Sequence, residues 1–167
     1  NFFGNTDIAN GFIEVLKEVK PDRLANILYY VDGDVRNYII EQIPSKNRVL
    51  VLNSLDKKTN DEKALRDMAK IYETKSTEVA IEAIGNTETY SIDKLASIYR
   101  NLSVLKSAEI LLNINDEAFL ESLFKAIIID EQLNKENRDL ANEINKSMDF
   151  LTEYKRKIKN LVKSYED

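Results

Sequence analysis

Apolar and polar residues follow one another along this chain at helical spacing, in short runs that end at polar stops. The stretch 102–115, L-S-V-L-K-S-A-E-I-L-L-N-I-N, shows the pattern most clearly. It begins with an apolar and then a polar residue, continues as a short amphipathic run and closes on a polar residue. The same outline recurs at 19–32 and 43–56, and more loosely at 75–87. The starts are 24, 32 and 27 residues apart, which is typical of stacked helical repeats.

Superposition of the four copies places small and apolar residues in three columns. Asp32, Asp56 and Asn115 close three of the copies. A helix hairpin this short cannot bury its apolar face alone, so we expect the hairpins to stack on one another. The columns hold, in turn, Ala25, Val49, Ile81 and Ala108; Ile27, Val51, Ala83 and Ile110; and Leu28, Leu52, Ile84 and Leu111.

Capping residues and helix breakers predict where the helices start and stop. Asp7 is a predicted N-cap of the first helix, and Pro21 suits the first turn of the second helix, where its missing N–H costs nothing. Gly85 predicts a helix end in the left-handed conformation that glycine accepts. The polar stretch 56–61 is the best candidate for a loop in the first half of the chain.

The period of the apolar residues changes in the C-terminal part of the chain. From Leu133 to Tyr165 the steps alternate between four and three residues without a break, which predicts a heptad seam with Asn137 at one inside position. Two alternatives remain open: the seam pairs two chains, or one long helix folds back on the repeats. The candidate self-association residues are Leu133, Asn137, Leu140, Ile144, Leu151, Tyr154, Ile158 and Leu161.

These patterns predict an all-α fold in two parts. Residues 1–128 are expected to form an armadillo-like domain of short helix-hairpin repeats, and residues 129–167 a long amphipathic or coiled-coil helix. The composition agrees, because 4 glycines and 2 prolines in 167 residues leave few breakers. No apolar run approaches the roughly 20 residues of a membrane span. Since the first residue is Asn1 rather than Met, we expect any membrane attachment to lie in a preceding segment.

The composition argues against an enzyme. The chain has no cysteine and no histidine, which removes thiolate nucleophiles, the usual zinc ligands and the commonest general base. The sequence contains no glycine-rich phosphate loop and no recognisable nucleophile–base pair. We therefore predict a non-enzymatic protein with no catalytic residue, cofactor or metal. The net charge of −5, with both signs interspersed, also lacks the basic stripe of a nucleic-acid-binding protein.

Three pairs of acidic residues allow two interpretations. Mg²⁺ prefers oxygen ligands, so these pairs are the candidates for a magnesium site. Each pair also stands where a helix is expected to begin, and acidic side chains there are favoured by capping and by the helix dipole. We favour the capping interpretation. The pairs are Asp32 with Asp34, Asp61 with Glu62, and Asp116 with Glu117.

Tyrosine is one of the residue types enriched among the anchors of protein interfaces, and this chain has eight. Most are expected to be half-buried in the repeats with a hydrated hydroxyl group. Tyr29 and Tyr30 are the candidate partner-binding residues. The basic run 155–157, with Lys159 and Lys163, is interpreted as a solvated helix face, because acidic residues interrupt it.

The repeated pattern resembles the intracellular N-terminal domain of MgtE magnesium transporters. It is also similar to the related modules of MotE-type flagellar motor chaperones and of the FlbB collar protein of spirochaete periplasmic flagella. The resemblance covers roughly residues 8–128 and implies a right-handed superhelix of short helices. The best-matching positions are Pro21, Ala25, Ile27, Leu28 and Asp32; Pro44, Val49, Leu52 and Asp56; and Ser103, Ala108, Ile110, Leu111 and Asn115.

Three functions are compatible with these features. The first is a scaffold or chaperone, which is a homodimer if the heptad seam pairs two chains, and whose protein partners the resemblance would place in a bacterial flagellar motor. The resemblance implies a periplasmic or membrane-anchored location for it, with a cytoplasmic one as the alternative. The second is a magnesium-sensing regulatory domain, and the third is a helical surface adhesin of a bacterial pathogen.

Overall fold

Helices account for all the regular secondary structure in the described part of the chain. The computed structural model describes residues 2–166, and their side chains except those of residues 2–6, 8, 150, 152, 154 and 155. The all-α prediction is confirmed over this range. In chain order the helices are α1 (Phe2–Lys17), α2 (Pro21–Leu28), α3 (Gly33–Gln42), α4 (Ser45–Thr74), α5 (Thr77–Ile84), α6 (Ile92–Asn101), α7 (Val104–Leu111), α8 (Glu117–Ser147) and α9 (Asp149–Glu166).

The chain divides into two compact units. The first unit comprises Asn1–Lys58 together with Glu136–Asp167, and the second comprises Thr59–Lys135. Both boundaries fall within long helices, α4 and α8. The division predicted at residue 128/129 lies inside α8, and it stays a prediction.

The first unit has its own core of aliphatic side chains. Leu24 and Leu28 of α2 and Ile39 of α3 are almost completely buried in it. Ile144 and Met148, from the end of α8, belong to the same cluster although they are more than 100 residues away in sequence. Fully burying one such side chain contributes about 1.5–3 kcal/mol. The C-terminal part of the chain is therefore an integral part of this unit.

The second unit is built around a separate cluster. Ile84, Leu95, Ile98 and Ile110 are fully buried there together with Leu123 of α8. The prediction of hydrated tyrosine hydroxyl groups is wrong for one residue of this cluster. Tyr99 is buried, and its hydroxyl donates a hydrogen bond to the carbonyl oxygen of Ile84 at 2.8 Å. Burial raises the pKa of Tyr99.

All four sequence copies open at the start of a helix. The copies at 19, 43, 75 and 102 lead directly into α2, α4, α5 and α7. The second column of the alignment includes Ile27, Val51 and Ile110, all of which are buried. In α4, however, Val49 and Leu52 are exposed. That copy differs because α4 continues for 30 residues instead of ending as a short hairpin helix.

Three local predictions are wrong. Residues 56–61 form no loop but lie inside α4, since the stretch is polar yet contains neither glycine nor proline to end a helix. Asp7 does not cap a helix, because α1 already begins at Phe2. Helix α5 does stop at Gly85 as predicted, but with φ of −92° rather than in the left-handed conformation.

Helix junctions share a contact that the repeat alignment does not contain. The Arg36 guanidinium donates to the carbonyl oxygens of Leu28 and Val31, both at 2.9 Å, at the end of α2. Arg48 donates in the same way at the end of α3, and the Ser107 hydroxyl donates to the Tyr99 carbonyl at the end of α6. Carbonyls at a helix end lack partners within the helix. A side chain of the following helix supplies one at each of these three junctions.

The C-terminal segment forms parts of two helices. Helix α8 ends at Ser147 and α9 begins at Asp149, with Met148 as a turn between them. The beginning of α9 contacts the first unit, since Leu151 packs against its core. The structure does not confirm a separate heptad helix over 129–167, because α8 begins at Glu117 and belongs to both units.

Candidate functional site

Helix α7 leaves large apolar side chains exposed at both of its ends. Ser103 is the N-cap of the helix, because its hydroxyl accepts a hydrogen bond from the backbone N–H of Lys106 at 3.1 Å. Its core contact is Ile110, which is fully buried. Val104 and Leu105 in its first turn are 88% and 71% exposed, and Leu112, just after its end, is 84% exposed.

Helix α8 supplies a second apolar surface beside α7. Asp116 caps it by accepting a hydrogen bond from the Phe119 N–H at 3.1 Å, so the capping interpretation of this acidic residue is confirmed. The helix buries Leu123 in the core of the second unit. Phe124 and Ile128 remain exposed, Phe124 by 53%.

The exposed faces of the two helices form one apolar groove. It consists of two hollows of about 460 and 480 Å³ that share Leu111, Leu112 and Phe124. Leu120 extends the first hollow, and Val104 and Ile128 extend the second. An isolated exposed leucine is ordinary, but a contiguous apolar patch with a polar rim is typical of an interaction site. We call this surface the α7/α8 groove.

The groove residues were not among the predicted site residues, although the repeat alignment contains a signal for one of them, Val104. The third and fourth positions of the first copy are Pro21, which starts the helix, and Asp22. Both positions are polar in the next two copies. In the fourth copy the same positions are Val104 and Leu105. Apolar residues at positions that the other copies leave polar are not explained by a shared core.

A cluster of charged side chains borders the second hollow. Arg100 Nε lies 2.8 Å from Asp130 Oδ2, an ion pair that is not aligned as a hydrogen bond. Its Nη2 is 3.4 Å from Glu62 Oε2. Arg100 lines the hollow with most of its side chain buried. The cluster joins α4 and α6 to α8, which is one of the two helices that carry the groove.

The remaining charged residues of the groove are mainly acidic. Glu117 and Glu121 line the first hollow with Lys125, and Glu131 lines the second. Lys125 already forms an ion pair with Glu121 at 2.9 Å. Among the described residues, Glu117 and Glu131 have no ion pair. The groove is therefore apolar at its centre and carries excess negative charge at its edge.

The predicted partner-binding tyrosines lie in the first unit. The rings of Tyr29 and Tyr30 meet edge to face, with centroids 5.0 Å apart, and both pack against the core. Lys58 Nζ is 5.2 Å from the Tyr29 ring centroid, and the Arg138 guanidinium carbon is 5.9 Å from that of Tyr30. These half-buried rings form cation–π contacts with the two basic side chains. Their role in binding a partner stays a prediction.

The predicted seam residues do not share one exposed face. Asn137 and Ile144 are buried in the first unit, and Leu151 packs against its core. Leu133, Leu140, Ile158 and Leu161 are exposed. The side chain of Tyr154 lies outside the described residues. Self-association through this seam stays a prediction, and the buried members point to packing within the unit.

The capping interpretation is not confirmed for the other two acidic pairs. Asp32 stands at the N-cap position of α3 without a side-chain capping bond, and Asp34 lies in the first turn. Asp61 and Glu62 start no helix, because they lie inside α4. Over the described side chains, no three acidic residues lie close enough together to hold a metal ion.

Comparisons with other proteins identify no relative. No protein-family model, curated protein or solved structure matches this chain. Within residues 2–166, no helix has both the length and the apolar character needed to cross a bilayer.

Proposed function

We propose that this chain is a non-enzymatic protein-interaction module that binds an amphipathic helix of a protein partner in the α7/α8 groove. The observation that carries the proposal is the continuous apolar surface around Leu112 and Phe124. Burial of apolar area contributes about 25 cal/mol per Å². Covering this surface with a partner would therefore be favourable, and neither side chain is used to hold the second unit together.

The shape of the groove favours a helical ligand. Side chains of α7 and α8 line two adjoining hollows that share Leu111, Leu112 and Phe124. An amphipathic helix binds by placing successive apolar anchor residues into a groove of this kind. Binding energy in such interfaces is concentrated on a few buried apolar or aromatic anchors. We expect Phe124 and Leu112 to carry most of it, because both belong to each hollow.

The wider setting rests on the resemblance. A scaffold or chaperone role in a bacterial flagellar motor is the setting that the MotE-like and FlbB-like pattern supports. Stacking of the hairpins in a right-handed superhelix belongs to the same proposal. It is supported by the shared junction contact, in which the donor follows its carbonyl acceptor by eight residues at Arg36, Arg48 and Ser107.

A peptide-display selection against the full chain tests the proposed function. We expect enrichment of helical peptides with apolar residues at positions i, i+3, i+4 and i+7. Their affinity should fall at least about tenfold for the Leu112→Glu variant, since a buried carboxylate would face the apolar ligand. The matched control is Val15→Glu, a change at an exposed apolar residue of α1, which should leave binding unchanged.

Two outcomes would contradict the proposal. In one, the selection yields no peptide with this spacing. In the other, enriched peptides bind the Leu112→Glu and Phe124→Ala variants as tightly as the wild-type chain. Circular dichroism of each variant should show that the helices are retained, because both side chains are exposed.

A further inference from the structure

The C-terminal helix has the features of a ligand for the α7/α8 groove. Ile158, Leu161, Val162 and Tyr165 of α9 are all exposed, Tyr165 by 84%. They occupy positions i, i+3, i+4 and i+7, which is the anchor spacing of helices that bind in apolar grooves. Helix α9 thus presents about two turns of apolar surface that its own unit leaves uncovered.

The charges of the two surfaces are opposite. Helix α9 contains five basic and three acidic residues. Lys159 and Lys163 flank its apolar anchors, and neither has an ion pair among the described residues. The groove has the excess acidic residues Glu117 and Glu131 at its edge. Opposite potentials steer two surfaces together and disfavour wrong partners.

We infer that the groove of one copy binds the end of α9, residues 158–165, of a second copy. This inference rests on the proposed function, because it assigns an occupant to the same groove. The contact is head to tail: one molecule contributes the groove and the other the helix. Such contacts either close, as a reciprocal dimer or a ring, or extend into a chain of molecules.

A mixing experiment with the full chain tests the inference. Sedimentation velocity at increasing concentration should show self-association of the wild-type protein. Leu112→Glu disables the groove but keeps α9, and Leu161→Glu disables α9 but keeps the groove. Each variant alone should be monomeric. An equimolar mixture should recover association, because one intact groove and one intact helix are then present. Val15→Glu, the matched control, should associate as the wild type does.

A charge exchange sharpens the test. Lys159→Glu combined with Lys163→Glu should weaken association at least about tenfold at low salt. Glu117→Lys with Glu131→Lys in the second partner should restore it, which a merely structural role of these residues would not produce.

Three results would overturn the inference. They are a wild-type chain that stays monomeric at every concentration, a Leu112→Glu variant that still self-associates, and a mixture of the two variants that remains monomeric. The second result would point to symmetric pairing of the heptad seam. If any of them occurs while selected peptides still bind the groove, the proposed function stands and only its occupant is wrong.

Discussion

Helices α2 and α7 are copies of one sequence pattern, yet they have opposite surroundings. In the first unit α2 buries Leu24, Ala25, Ile27 and Leu28. In the second unit α7 buries only Ile110 and leaves its first turn and the following residue exposed. The outward positions of α2 are Pro21 and Asp22, whereas those of α7 are Val104 and Leu105.

The difference separates residues that fold the repeats from residues available for binding. Both helices keep a buried isoleucine in the same column, Ile27 and Ile110. The apolar residues that α7 adds contribute no burial to the second unit. Val104 lines the α7/α8 groove together with Leu112, and a contiguous apolar patch of this kind is typical of an interaction site.

The largest effects are expected where the two helices are alike. Ile27→Ala and Ile110→Ala should each lower the free energy of unfolding by about 2–5 kcal/mol, because both side chains are buried and truncation leaves a cavity. Urea unfolding followed by circular dichroism measures the change. Leu112→Ala, in the groove, should change it by less than about 0.5 kcal/mol. Equal losses at Ile110 and Leu112 would contradict the division between core and binding surface.

The helix junctions should show an intermediate difference between the units. Arg36→Ala leaves several carbonyls at the end of α2 without their donor, and we expect a loss of about 1–3 kcal/mol. Ser107→Ala, which removes one hydrogen bond at the α6 end, should cost less, about 1 kcal/mol. Arg36→Lys should recover only part of the loss, since an ammonium cannot reproduce the planar fork of donors. Full recovery by lysine would show that charge alone matters there.

The smallest effect is expected from a tyrosine found at only one of these junctions. The backbone carbonyl of Tyr99 accepts the hydrogen bond from Ser107, as the carbonyl of Ile40 accepts one from Arg48. Burial raises the pKa of Tyr99. Its stabilising contribution is therefore complete below the unfolded pKa of about 10 and is lost as the pH rises through the folded pKa.

The pH dependence of urea unfolding above neutrality measures this effect. The wild-type chain should lose stability as the solution becomes strongly alkaline. Tyr99→Phe should cost about 1 kcal/mol near neutral pH, through the lost bond to the Ile84 carbonyl, and should make the alkaline loss shallower. Identical alkaline slopes for both proteins would mean that ionisation of Tyr99 does not limit stability. Tyr72 belongs to the same unit, and its pKa is raised by burial and by its hydrogen bond with Tyr90, so part of the slope should remain in Tyr99→Phe.

Residue pattern alone predicted the helical class and the start of each repeat copy. Ser103 and Asp116 also function as caps where the sequence indicated polar helix starts. The loop predicted at residues 56–61 is wrong, because a polar stretch without glycine or proline does not end a helix. The groove was not predicted, because only Val104 stands out in the repeat alignment and an apolar pattern does not show which of its residues are exposed.

What the sequence determined by itself is local: helical spacing, caps and the columns of apolar residues, all of which depend on neighbours within a few positions. Only the tertiary structure decided which apolar faces are covered. Ile144 and Met148 complete the core of α2 from the far end of the chain. No described segment covers Leu112 and Phe124 to the same extent. Burial depends on residues that are distant in sequence, and for this reason the same repeat pattern produces a core helix in one unit and an exposed groove in the other.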